Sequence, residues 1–155
     1  MIMKKRIFIA SSAELKRERL ELVDLLLDLN IELKAKDVKW KPELWEFMDS
    51  SMQEGRKEDE YLEKLKKCEV CVVIFWKALG QYTVEELDVA VAEMKAGRLP
   101  KQVYVWFKEP SDGISPELSD FKANFAENYP CIPYRVFNEV DTLRKEVAGV
   151  LVDLS

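Results

Sequence analysis

Four short runs rich in β-branched and aromatic residues recur along the chain with helix-length gaps between them: Arg6–Ala10 (RIFIA), Val70–Trp76 (VCVVIFW), Gln102–Phe107 (QVYVWF) and Tyr134–Phe137 (YRVF). A continuous apolar run has no polar face to offer water, so it reads as a strand covered on both sides. Strands alternating with helices join through right-handed crossovers into a parallel sheet with helices on both faces. A fifth run, Ile31–Trp40 (IELKAKDVKW), alternates apolar residues with Lys34, Lys36 and Lys39, the pattern by which lysine guards an edge strand. The expectation is an α/β, doubly wound, five-stranded and mostly parallel sheet in the order 2-1-3-4-5. At 155 residues one domain is the default.

Helices fill the gaps. Ser11 with Glu14 makes a capping box, followed at helical spacing by Leu15, Leu22, Val23, Leu26 and Leu29, up to Asn30. Pro42 is placed to open a short helix carrying Leu44, Trp45, Phe47 and Met48, with a break around Gly55 before a helix over about Lys57–Lys67. Thr83 and Glu86 form a second capping box for a helix bearing Leu87, Ala90, Val91 and Met94, with Gly97 ending it. Ser115-Pro116 reads as N-cap and first helical residue of a segment running toward Tyr129-Pro130. Asn138 or Asp141 caps the last helix, along which Val140, Leu143, Val147, Val150, Leu151 and Leu154 repeat.

Composition narrows the chemistry. The chain has no histidine, which excludes Ser-His-Asp and Cys-His nucleophile systems, His-ligated zinc and imidazole acid–base catalysis. Carboxylates, hydroxyls, Lys, Arg and backbone groups remain. Lys+Arg of 24 against Asp+Glu of 29 gives a net charge of −5, which disfavours nucleic acid and anionic lipid as partners. No apolar stretch approaches the roughly 20 residues of a membrane span. Cys68-x-x-Cys71 has a redox spacing but leads into a strand rather than a helix, so both thiols read as core residues without a disulfide. An odd count of three cysteines with no signal peptide fits a reducing cytoplasm.

In a sheet of this order, ligands sit beyond the carboxyl ends of the strands where strand order reverses. That places the crevice between the loops after Ala10 and after Trp76, bringing in Ser11, Ser12 and Lys77–Glu86. Glu86 is the leading carboxylate, with Glu85 as its competitor; as the third residue of a capping box, Glu86 also has a purely structural reading. Ser11 and Ser12 open a helix whose free N–H groups suit phosphate or ribose, as at any capped helix. Neither G-x-G-x-x-G nor G-x-x-x-x-G-K-[ST] is present. Arg17 and Arg19 offer guanidinium forks to phosphate or to Glu18 and Glu21, though solvated helix surface suits at least one. Trp40, Trp45, Trp76 and Tyr82 offer flat rings near strand ends, with packing the default for Trp40 and Trp76.

Three segments carry a family resemblance: Arg6-Ile-Phe-Ile-Ala-Ser-Ser12 with Glu14-Leu15 and Glu18-Arg19; Lys67-Cys-Glu-Val-Cys-Val-Val-Ile-Phe-Trp76; and Gly80-Gln-Tyr-Thr-Val-Glu-Glu-Leu87. In order and spacing the chain resembles the Toll/interleukin-1 receptor (TIR) superfamily, and within it bacterial TIR-like domains of signalling or defence proteins. The resemblance implies a single flavodoxin-like domain over residues 1–155, with further domains fused to it in the full-length protein. It also implies NAD+ glycohydrolase activity, in which a glutamate of a W-C-x-x-E-L type segment steadies the ribosyl cation as nicotinamide leaves. Tyr82-Thr-Val-Glu85-Glu86-Leu87 matches that segment with Tyr82 and Thr83 in place of Trp-Cys, and puts the glutamate at Glu86. Ala10, Ser11, Ser12, Arg19, Trp45, Trp76 and Tyr82 would bind the substrate. NAD would be substrate rather than cofactor, no metal would be needed, and self-association would accompany activation. Two other activities share the architecture: a non-catalytic self-association or docking module, and deoxyribosyl transfer between nucleobases by a glutamate nucleophile.

Overall fold

The computed structural model describes residues 1–44, 54–109 and 112–155. Strands β1 (Met3–Ser11), β2 (Val38–Glu43), β3 (Val70–Phe75), β4 (Gln102–Lys108) and β5 (Tyr134–Phe137) form one sheet in the order β2-β1-β3-β4-β5. All four pairings are parallel. Helices α1 (Lys16–Glu32), α2 (Glu54–Leu65), α3 (Gln81–Lys95), α4 (Pro116–Ala123), α5 (Phe125–Asn128) and α6 (Val140–Asp153) cover its two faces. The fold is α/β, doubly wound and flavodoxin-like.

Strand alternation sorts the core into two layers. Ile7, Ile9, Val70, Val72 and Ile74 point to one face, where Leu22, Leu26 and Leu29 of α1 and Leu143, Val147 and Leu151 of α6 meet them. Phe8, Ala10, Cys71, Val73 and Phe75 point to the other, against Tyr61 and Leu65 of α2, Leu87 and Ala90 of α3, Leu118 of α4 and Phe125 of α5. Central strand β3 is buried along its whole length, which explains its continuous apolar run. Each such side chain contributes about 1.5–3 kcal/mol on removal from water.

Several local expectations are corrected. The lysine-alternating run is not one strand: α1 continues through Ile31 and Glu32, a 3-10 turn takes Leu33–Lys36, and Asp37 at φ 55° redirects the chain into β2. The reason is Leu33, which extends the buried face of α1 one turn beyond Leu29. Pro42 opens no helix; it lies in β2, where a missing N–H is tolerated at a sheet edge. Gly55 lies inside α2 rather than at a break, and α2 ends at Leu65. Phe47 and Met48 of the expected short helix lie outside the described residues. Glu139, not Asn138 or Asp141, flanks α6. The Ser11–Glu14 capping box does not form: Ser11 ends β1, Ser12 precedes a 3-10 turn over Ala13–Leu15, and α1 starts only at Lys16. Other signals hold: Ser115 Oγ accepts from the Leu118 N–H at 3.1 Å ahead of Pro116, and Gly97 at φ 77° follows the end of α3.

The edge strand is closed by a side chain. Asn30 Nδ2 donates to the Trp40 carbonyl at 2.9 Å, and the Trp40 N–H donates to Asn30 Oδ1 at 2.8 Å. One amide thus occupies the backbone pair that β2 would otherwise present to another chain. Replacing Asn30 with Ala strands both groups, so we expect a loss of about 1–3 kcal/mol in urea unfolding. Unchanged stability would show that water replaces the amide at no cost.

Candidate functional site

Because α1 leaves β1 on one face and α3 leaves β3 on the other, the carboxyl ends of these neighbouring strands open a crevice. It forms a cavity of about 280 Å³ lined by Ile9, Ser11, Ser12, Ala13, Arg19, Tyr61, Gly80, Gln81, Tyr82, Thr83 and Glu86. The two loops that lead into it are joined where the Ala78 N–H donates to Glu14 Oε1 at 3.4 Å. Glu14, expected as a cap partner, therefore ties the loop after β3 to the loop after β1.

Arg19 is 5% exposed, and its Nη1 donates to Ser11 Oγ at 2.5 Å and to the Ser12 carbonyl at 2.7 Å. A guanidinium fork at a strand end holds the β1–α1 junction and sets a fixed positive charge on the cavity wall. Arg17 is exposed, so only one of the two arginines serves the crevice. Ser12 Oγ is buried and has no hydrogen-bond partner among the described residues, leaving a donor and two acceptor positions for a ligand hydroxyl.

Opposite, α3 begins at Gln81 with Gly80 as its flanking residue. Thr83 is therefore the third helical residue, and Glu86 lies in the second turn, too far along to cap. The second capping box is thus corrected: Glu86 does not cap α3. Gln81, Tyr82 and Thr83 line the cavity and form the first turn of α3, whose N–H groups have no intrahelical partner and carry the positive end of the helix dipole. A Cβ on Gly80 would stand 3.0 Å from Thr83 Oγ1 and 3.5 Å from Ser12 Cβ, so glycine lets the two walls approach.

Glu86 is 4% exposed and lines the cavity, whereas Glu85 is in solvent, so of the two carboxylates Glu86 is the one that faces inward. The carboxylate lies near Cys71: burial first, then the charge of Glu86, pushes the Cys71 thiol well above its usual range. Tyr61, buried in α2, closes the cavity floor and donates through its hydroxyl to the Ile9 carbonyl at 3.2 Å.

Of the sequence-derived candidates, Ser11, Ser12, Arg19, Tyr82 and Glu86 converge on the cavity, with Tyr82 half-exposed at its rim. Ala10 does not: strand alternation turns it into the opposite core while its neighbours Ile9 and Ser11 line the cavity. Trp76 packs beside the first core, with Lys108 Nζ 4.0 Å and Lys77 Nζ 4.5 Å from its ring, and is not among the described lining residues. Trp45 lies outside the described residues. Trp40 is core, its indole N–H donating to Ser155 Oγ at 2.9 Å. Gly80, Gln81 and Thr83 come from the expected stretch Lys77–Glu86, whereas Ile9, Ala13 and Tyr61 join the site from outside the expected residues. Among the described residues no group of His, Cys, Asp or Glu is arranged to hold a metal ion, and no helix is long and apolar enough to cross a membrane. No protein-family model matches the chain, and no curated protein matches it either.

The thiols give a direct check on this packing. Burial, reinforced by Glu43, pushes Cys68 from 9.0 up to about 12, while Cys131 is exposed. A disulfide-exchange reagent at mild pH should titrate one thiol in the native protein and three after unfolding. Between pH 9 and 12 the unfolded chain releases the Cys68 proton that the folded chain keeps, so this thiol's contribution to stability falls as pH rises through that range. A native count of three would contradict the buried placement.

Proposed function

We propose that the chain is a TIR-type effector domain that hydrolyses NAD+ to nicotinamide and ADP-ribose, and that Glu86 is its charge-stabilising carboxylate. The observation that carries this reading is Glu86 itself: a carboxylate almost wholly removed from water on the wall of a cavity at the sheet's reversal point, with hydroxyls, a guanidinium and a helix N-terminus around the same space. The sequence resemblance to catalytic TIR domains places a glutamate at the same residue, and the chain's lack of histidine suits a reaction that needs no imidazole.

The chemistry follows from these groups. Nicotinamide is a neutral leaving group once the bond from C1′ to its ring nitrogen breaks, carrying both bonding electrons with it. Positive charge then develops over C1′ and the ring oxygen. An ionised carboxylate in a poorly solvated cavity offsets that charge more strongly than it would in water. Water attacks C1′ and loses a proton to solvent, so NAD+ and water yield ADP-ribose, nicotinamide and one proton. Ser12 Oγ is positioned to meet a ribose hydroxyl. The first-turn N–H groups of α3, together with Arg19, favour the pyrophosphate at the mouth. The cavity of about 280 Å³ suits the nucleoside end of the dinucleotide rather than its whole length.

Nicotinamide release from NAD+, followed by proton NMR on concentrated protein, tests the proposal. Glu86→Gln keeps the shape and removes the charge, and we expect turnover to fall about 10²–10³-fold with the thermal midpoint near wild type. Glu85→Gln, altered in solvent, should retain activity. A wild-type rate in Glu86→Gln would reject the assignment. Base exchange on a supplied deoxynucleoside, with NAD+ left intact, would instead favour deoxyribosyl transfer.

A further inference from the structure

The outer side of α1 and the edge strand β2 enclose an apolar trough that the crevice does not use. Two adjoining hollows of about 390 and 230 Å³ share Asn30 and Lys39 and extend from Pro42 to Ile2. Leu26 forms part of its floor, and Val23, Leu27 and Ile31 line it from the helix. Leu27 and Ile31 are 64% and 75% exposed. Together with Leu20, also exposed, these residues fall on one stripe along α1, at the spacing by which helices pack against helices. A contiguous apolar stripe left open to water marks an interaction surface rather than scattered exposure.

Charge narrows what fits there. Lys4, Lys34, Lys39 and Lys41 surround the trough, opposed among its lining residues only by Asp37. Lys41 reaches Glu43 at 3.8 Å, whereas Lys4, Lys34 and Lys39 make no ion pair among the described residues. Of the acids of α1 on this side, Asp24 and Asp28 are turned to Arg144 of α6, and Glu32, exposed next to Ile31, lines neither hollow. In a chain of net charge −5 this is a local inversion of sign. Backbone geometry narrows it further: the outward N–H and C=O of Trp40 are taken by Asn30, and Pro42, on the same edge, has no N–H. A partner cannot add a strand here and must dock through side chains.

We propose that this trough is the docking site for an acidic amphipathic helix of a protein partner. Its apolar face would lie on Val23, Leu27 and Ile31, and its carboxylates would meet Lys4, Lys34 and Lys39.

The probe is a synthetic amphipathic peptide of about five helical turns, with leucine on one face and glutamate on the other, titrated into the isotope-labelled full chain. The same peptide with lysine in place of glutamate is the control. Shift changes should map to Val23, Leu27, Ile31, Lys34 and Lys39, and affinity should weaken about tenfold or more from low to high salt. Leu27→Asp with Ile31→Asp, both at exposed positions, should keep the thermal midpoint and lose binding. Lys34→Glu with Lys39→Glu should weaken the acidic peptide and strengthen the basic one. Equal affinity for both peptides, or shift changes elsewhere, would overturn the proposal. So would concentration-dependent self-association through Leu27 and Ile31 without peptide, or binding to phosphatidylserine vesicles in place of the peptide.

Discussion

Two hydrogen-bonded neighbours, β1 and β3, send their chains to opposite faces of the sheet, and the site depends on the gap this leaves. Right-handed crossovers allow no other arrangement once strand order runs outward in both directions from that pair. Helix α1 must go to one face and α3 to the other, so no covalent segment fills the space between their N-termini. The groups brought to that space are those a helix start supplies: unpaired N–H groups, hydroxyls, and a positive dipole end.

Burial of charge makes the space more than a surface groove. Arg19 and Glu86 both lie almost out of water, and each would be expensive there without compensating polar partners. Arg19 has the Ser11 hydroxyl and the Ser12 carbonyl. In the first turn of the same helix, Glu18 is held by Lys108 at 2.9 Å, and that lysine also covers the Trp76 ring. The carboxyl end of the sheet thus fixes several charges in position before any ligand arrives. Such preorganised electrostatics is most effective against charge that develops during a reaction.

The sheet was legible in the sequence because its strands carry their own signal. β3 and β5 match their sequence runs to within one residue: β3 because an apolar segment buried on both faces carries a strong signal, and β5 through its aromatic and β-branched residues, although it is not covered on both faces as expected but is exposed from Tyr134 to Val136 and buried only at Phe137. The edge strand was misplaced because the alternation of lysines over Lys34, Lys36 and Lys39 mimics period two, while Leu29 and Leu33 were already extending the helix. Capping boxes failed for a related reason. Ser-x-x-Glu and Thr-x-x-Glu spacings say that a cap is chemically available, but where the helix starts is set by how α1 and α3 pack on the sheet. That failure altered the standing of Glu86, freeing it from a capping role. Ala10 was included through adjacency in sequence and excluded by the pleat. Tyr61 was invisible because it sits in a highly charged helix with nothing local to mark it as a cavity floor.

On the proposed reading, the crevice between β1 and β3 receives the sugar end of a nicotinamide dinucleotide. Backbone amide shifts recorded on the Glu86→Gln protein with saturating NAD+ address it most directly, because binding is then observed without turnover. Binding there should move the Ser12, Gly80, Gln81, Tyr82 and Thr83 signals together and leave β5 and the α1–β2 trough undisturbed. Silence at those five positions, or a response centred on another face of the sheet, would contradict it.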